Sequence, residues 1–310
     1  MLINNKMKFF KIIFWPLAAI LLVGACKSQY DALLNSNDVD AKFKAAFDYF
    51  NAGKYQKAAA LFESLAILTS GTDRDDTVQY YWGYSNYKYK DFYTAESNLA
   101  KFVETFPRSV FTESARFMRV DCLYKSTLRY ELDPSPTYKA ISAINEYVRD
   151  YPESDHIDDC LKMLRDLGGR LHRKAYEAAR LYYHMEDYLA ARVALKNVLK
   201  DDAENIYREN ILYYIAMSSY KFANLSVAAK QKERYLTFID DYLNFVGEMP
   251  DSPYRKELDA LYRRAQRAIG NYAGIPKEEA ELDEKAFEKD RKKALKAKKI
   301  EDDKKMKQGE

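Results

Sequence analysis

Three histidines, three cysteines and adjacent aspartates such as Asp158-Asp159 and Asp240-Asp241 are side chains of this 310-residue chain whose types could do chemistry. His156, His172 and His184 stand in separate predicted helices, without the H-E-x-x-H spacing that sets two imidazoles on one helical face as metal ligands. Asp158-Asp159 and Asp240-Asp241 are neighbours in sequence. On a helix they point to different sides and cannot share a proton as an acid–base pair. There is no G-x-S-x-G elbow and no glycine loop to cradle a phosphate, and Gly168-Gly169 reads as a helix stop. Cys122 and Cys160 read as small buried apolar residues, and a disulfide between them is compatible with an oxidising compartment without being fixed by the sequence. The expectation is a non-enzymatic protein without a metal or other cofactor.

Cys26 is different. Lys6, Lys8 and Lys11 precede an apolar run from Ile12 to Val23, too short and too abruptly ended for a membrane span. The run closes in Val23-Gly24-Ala25-Cys26, which looks like a bacterial lipobox. Residues 1–25 would then be a cleaved signal peptide, and Cys26 the site of lipid attachment, its acyl chains holding the protein to a leaflet while its body stays in water. The other reading is an uncleaved signal anchor with an incidental cysteine. Lys27 follows, where an aspartate would point to inner-membrane retention by analogy with enteric bacteria, and no dense acidic run comes after it. The expected location is the periplasmic face of the outer membrane.

The rest of the chain must supply the body that this anchor holds. With 47% hydrophobic and 31% charged residues, 10 Gly and 8 Pro, it has the composition of a helix-rich globular chain rather than a sheet protein or a disordered one. A net charge of +3 without a basic face or base-stacking motif gives no case for nucleic acid. In residues 76–109, Gly83, Phe92, Ala95, Leu99, Phe102 and Pro107 have the offsets of a tetratricopeptide (TPR) repeat, which they resemble. An aromatic pair seven residues apart recurs as Phe43/Phe50, Tyr80/Tyr87, Phe117/Tyr124, Tyr176/Tyr183 and Tyr213/Tyr220, at intervals of 37, 37, 59 and 37 residues. Helix ends repeat as Phe102–Pro107–Ser109, Tyr147–Pro152–Ser154 and Phe245–Pro250–Ser252. The predicted fold is all-α, a right-handed TPR-like superhelix of about five helix-turn-helix repeats.

Residues 26–39 form the tether, 40–153 hold repeats one to three, 154–270 hold repeats four and five with a capping helix, and 271–310 form a charged tail without an apolar stripe. The long interval is expected to contain a proline loop, Leu128–Thr137, and an extra helix from Ser154 to about Leu167. The turn between the two helices of repeat five is expected to be longer than the norm.

In TPR arrays the fifth, ninth and twelfth residues of the first helix tend to face a groove. That numbering gives Phe43, Phe47 and Phe50, then Tyr80, Tyr84 and Tyr87, then Phe117, Asp121 and Tyr124, with Lys88 and Lys125 next in line to pair with a terminal carboxylate. Such rings could grip an extended strand with alternating aromatic side chains, or pack as core. In repeats four and five the core reading is preferred. Arg180, His184, Lys230, Lys232 and Arg234 could steer a partner subunit, or be wetted helix faces.

The lipobox, the five units, the Tyr/Phe-Pro-x-Ser helix ends, Ala179–Ala191 (ARLYYHMEDYLAA) and the KQKERY stretch from Lys230 to Tyr235 together resemble the BamD family, from the lipobox to about Ile269. That family is the lipoprotein component of the outer-membrane β-barrel assembly machinery. The resemblance implies amino-terminal repeats that receive the carboxy-terminal signal of unfolded barrel proteins, and carboxy-terminal repeats that dock a BamA-like subunit. The runner-up is a TPR lipoprotein scaffold for cell-wall or division coordination. It would more often carry a heptad segment before the repeats, and none stands between Cys26 and Asp40.

Overall fold

The first helix of each repeat passes into the second through a turn that the sequence sets residue by residue. At three such turns a residue in the left-handed region immediately precedes the N-cap of the next helix: Gly53 (φ 72°), Lys90 (φ 68°) and Glu186 (φ 61°). Asp91 and Asp187 follow two of them and cap the next helix, accepting from the N–H groups of Thr94 (3.1 Å) and Ala190 (3.0 Å). Lys54 holds the corresponding place after Gly53 and supplies no side-chain cap.

The computed structural model describes residues 29–270 and Lys285, Lys289, Lys292 and Lys296. Cys26, its signal and nearly all of the charged tail lie outside the described residues. A short helical segment, 29–34, precedes α1 (Val39–Asn51), α2 (Tyr55–Leu68), α3 (Asp75–Tyr89), α4 (Phe92–Thr105), α5 (Thr112–Lys125), α6 (Ser135–Asp150), α7 (Ile157–His184), α8 (Tyr188–Asp201), α9 (Arg208–Asn224), α10 (Ala228–Glu248) and α11 (Arg255–Ala268). The described residues are helices and turns without a strand. The fold is all-α and TPR-like, with consecutive helices paired as hairpins. None of the described helices is long and apolar enough to cross a membrane.

The aromatic–Pro–x–Ser ends have a common physical cause. Phe102, Tyr147 and Phe245 are almost wholly buried, and the carbonyl of each accepts from the residue four on, at 2.8, 2.9 and 2.8 Å, as its helix closes. The proline then cannot continue the helix. Ser109, Ser154 and Ser252 each accept at Oγ from the N–H two residues on (3.3, 3.3 and 3.2 Å), which turns the chain into the next helix.

The described residues fall into two compact units, divided between Leu167 and Gly168. The first holds three apolar clusters. One is built on Ala58, Leu61, Phe62 and Val78, the next on Tyr80, Leu99 and Phe102, and the third on Val120, Ile144, Tyr147 and Leu167. Gly83 allows the closest approach, because a Cβ there would lie 2.8 Å from Leu99 Cδ2. Glu96 of α4 ties two more helices, meeting Arg119 of α5 at 3.0 Å and Lys139 of α6 at 3.3 Å. The second unit has one large cluster, on Tyr176, Leu195, Ile211, Tyr235, Phe238 and Phe245.

Three local expectations are corrected. Gly168-Gly169 is not a helix stop, since α7 runs through both from Ile157 to His184 and replaces the separate helix expected to end at Leu167. A glycine inside a helix costs about 1 kcal/mol against alanine. Here Cys160 and Leu167 bury themselves on one side of the pair and Tyr176 and Ala179 on the other, which outweighs that cost. The turn of repeat five is also short, only residues 225–227, and the extra length lies in α9 and α10 themselves. The proline loop ends before Ser135, because Pro136 occupies the first turn of α6, where its missing N–H is no loss.

Cys122 and Cys160 are free and buried, and burial pushes the Cys122 thiol up to about 12. Tyrosines join helices through their hydroxyls, three of the four bonds reaching past the helix between to the next but one, and Tyr242 reaching from α10 to α11. Tyr87 donates to Asp121 (2.6 Å), Tyr124 to Asp166 (2.9 Å), Tyr213 to Glu257 (3.0 Å) and Tyr242 to Asp259 (2.6 Å). Burial first, and then the carboxylate each one meets, raises Tyr87 and Tyr242 to about 12, and burial does the same for Tyr147 and Tyr183. The unfolded phenol titrates near 10. Between those values the folded chain holds protons that the unfolded chain has released, so stability is complete below about pH 10 and falls as pH rises towards 12. Denaturant midpoints are expected to drop steeply over that interval, with native phenolate absorbance developing later than in the denatured chain. Coincident native and denatured titrations would remove this account.

Candidate functional site

The aromatic residues on the first helices of repeats one and two make a continuous run of ring contacts. Phe43 meets Phe47 (5.0 Å between centroids), Phe47 and Phe50 both meet Tyr81 (4.7 and 5.2 Å), Phe50 meets Tyr84 (5.1 Å), and Tyr84 meets Tyr87 (6.4 Å). Phe43, Phe47, Phe50, Tyr84 and Tyr87 are part-buried. Tyr80 is not open. It is 6% exposed, stacks on Phe111 at 4.4 Å and bonds Ser114, so it belongs to the core.

Repeat three stands apart from this run. Phe117 stacks flat on His156 (3.7 Å, 6° between planes) and packs on Tyr147, while Tyr124 donates to Asp166. Lys125 is paired within its own helix to Asp121, which also accepts from Tyr87. Its charge is therefore committed rather than held for a ligand carboxylate. Lys88 is exposed, its ammonium lying 5.6 Å from the Tyr84 ring centre and 6.0 Å from that of Tyr55. No carboxylate of the described residues pairs with it. Tyr81 was not among the expected groove residues, yet it joins the rings of both repeats. It lies one residue after Tyr80, a position that helical spacing alone assigns to another face.

The cations expected to meet a partner fall in two places. Arg180 pairs with Glu177 (2.9 Å) and lies over the Tyr176 and Tyr214 rings, and exposed His184 ends α7. On α10, Lys230 and Lys232 are exposed. Arg234 donates to Ser226 Oγ and sits 4.0 Å over Phe222, so it serves the entry of its own helix.

The family model of the YfiO outer membrane lipoproteins matches residues 35–236, well over half of the chain, reaching from the first unit into the second. The chain belongs to the YfiO outer membrane lipoprotein family. It is similar to the outer membrane protein assembly factor BamD of Caulobacter vibrioides, at 20% identity over 203 residues, covering 66% of this chain and 61% of that protein. The chain thus spans less than two thirds of that relative's length. Among solved structures it is similar to the TPR2AB-domain:pHSP90 complex of yeast Sti1, at 15% identity and a TM-score of 0.34, covering 74% of this chain and 98% of that one.

Two features of this YfiO-family chain escaped the reading of its sequence. Asp241, with its side chain 4% exposed, holds Arg192 through two bonds (2.5 and 3.0 Å) and Lys196 through a third (2.8 Å), fastening α8 to α10. Leu181 and Met185, then Leu189 and Val193, are exposed apolar residues at four-residue spacing on either side of the α7–α8 turn. The four-residue spacing of the apolar residues was a usable signal, whereas the pairing of residues 192 and 241 was not.

Proposed function

We propose that this chain is a non-enzymatic scaffold of the β-barrel assembly machinery, anchored by lipid on Cys26 at the periplasmic face of the outer membrane. Its amino-terminal repeats receive the carboxy-terminal signals of unfolded barrel proteins, and its carboxy-terminal repeats dock a BamA-like subunit. The family match across residues 35–236 carries this reading, and the relative's name as an assembly factor supports it. The part-open rings of Phe43, Phe47, Phe50, Tyr84 and Tyr87 fit an extended aromatic strand, and Lys88 at their edge fits its terminal carboxylate. On the docking half, His184 adds charge next to the exposed Leu181 and Met185 in sequence, and exposed Lys230 and Lys232 add charge on α10.

Two measurements test the halves separately. The lipidated protein purified from mild-detergent membranes is expected to bring down a BamA-like barrel protein in stoichiometric amount; recovery of cell-wall or division proteins without it would favour the runner-up. A peptide ending in an aromatic residue with a free carboxylate is expected to bind roughly tenfold or more weakly to Y84A/K88Q, the loss typical of an interface anchor. Equal binding would remove the groove from the function and leave the docking half standing.

A further inference from the structure

Four lysines gather at the helix turns of repeats one and two without a carboxylate among them. Lys54, Lys57, Lys88 and Lys90, with Tyr55 and Tyr89 between them, line an open concavity of about 390 Å³. All four lysines are exposed, and none has an ion-pair partner among the described residues. The neighbouring acid, Asp91, uses its carboxylate to cap α4. Tyr89 is 48% exposed, and Tyr93, three residues after Lys90, is 88% exposed.

This patch lies where the tether is fastened. Tyr30 donates to the Lys57 carbonyl (3.1 Å), packs edge-on against Tyr49 (5.4 Å), and carries the Lys57 ammonium over its ring at 4.9 Å. Cys26 is four residues earlier in the chain. A fully extended chain covers at most ~3.6 Å per residue, so the four residues from Cys26 to Tyr30 can span at most ~14 Å. An acyl chain on Cys26 sits in the leaflet, so the patch is held near the headgroups, within a distance comparable to the ~10 Å over which surface charge acts.

We infer that Lys54, Lys57 and Lys90, with Tyr89 and Tyr93, form a membrane-docking surface for the anionic phospholipid headgroups of the anchoring leaflet, and that this surface sets the orientation of the first two repeats on the bilayer. Lysines meet lipid phosphates as point charges, and tyrosines suit the headgroup layer because their rings are apolar and their hydroxyls wet. The inference rests on the lipid-anchor reading of Cys26 but not on the groove, since Lys88 is left to the peptide.

The test uses the full mature chain, as purified from membranes, on vesicles of phosphatidylethanolamine with phosphatidylglycerol and on vesicles of phosphatidylcholine alone. A water-soluble amine reagent with mass spectrometry reads each lysine. Lys54, Lys57 and Lys90 are expected to label roughly tenfold more slowly on the anionic vesicles, with the difference erased by high salt, while Lys101, exposed on α4, labels equally on both. Each lysine near an anionic surface contributes about fivefold in affinity, so K54Q/K57Q/K90Q is expected to lose on the order of a hundredfold in the electrostatic part of vesicle binding. The amino-terminal peptide of the same sample reports acylation of Cys26. An acylated chain whose three lysines label equally on both vesicles overturns the surface and leaves the anchor. An unacylated chain that still binds anionic vesicles through these lysines overturns the anchor and leaves the surface. Protection seen only with a co-purified protein, and not with lipid, overturns the surface in favour of an acidic partner.

Discussion

Replacing Arg192 with methionine is expected to lower the unfolding free energy by about 3 kcal/mol, near the lower end of the range for a buried ion pair that loses one partner. Asp241 is the reason. Its side chain is only 4% exposed, and two of its bonds come from Arg192. Without them the carboxylate keeps Lys196, whose own side chain is 46% exposed and shares its charge with water. Removing that lysine instead is expected to cost less than about 1 kcal/mol, because its half-exposed ammonium is screened by water and Arg192 still holds the carboxylate. The double variant R192M/D241L removes the buried charge together with its partner and is expected to recover most of the loss. Chemical denaturation of the four proteins decides the matter, and an R192M loss below about 1 kcal/mol would mean that Asp241 is hydrated despite its burial. Because the link joins α8 to α10, R192M is also expected to weaken recovery of the docked subunit, whereas peptide binding by the other unit stays unchanged.

Gly83→Val is expected to cost about 3 kcal/mol, the upper end of the range for overpacking a core. A Cβ at this position meets Leu99 Cδ2 at 2.8 Å and Cγ at 2.9 Å. Rotation about χ2 of Leu99 moves its methyl groups but leaves Cγ in place, and Leu99 is wholly buried. Alanine at the same place is milder, since its better helix propensity offsets about 1 kcal/mol of the clash. L99A alone should cost about 2–5 kcal/mol through the cavity it leaves. In G83A/L99A each change relieves the other, so the double loss is expected to fall short of the sum of the single ones by at least about 0.5 kcal/mol. Strict additivity would show that α3 and α4 move apart freely, contrary to the close approach for which this glycine is present.

Much of this architecture was legible from local sequence. The helix ends could be read because Phe102, Tyr147 and Phe245, the prolines after them and Ser109, Ser154 and Ser252 act within a few residues of one another. Gly83 could be read because the TPR spacing already places a small residue where two helices cross. The pairing of Lys125 with Asp121 is available too, as a four-residue spacing on one helix. The lipobox and the charged tail are sequence features whose structure lies outside the described residues.

What only the tertiary structure decided is what depends on distant neighbours. Tyr80 and Tyr84 are alike in sequence, four residues apart on one helix, yet Phe111 and Ser114 cover the first and leave the second part-open. Gly168-Gly169 looks like a stop by local propensity, but α7 continues because buried side chains on both sides of the pair stabilise it by more than two glycines cost. Asp241 finds Arg192 across 49 residues, and the lysines of two separate turns line one concavity, with Lys57 among them over the Tyr30 ring. Repeat spacing determined that helices would stack in pairs. Which rings, charges and faces those pairs leave open was settled by packing, because burial is a property of the neighbours that a side chain meets and not of its position in the chain.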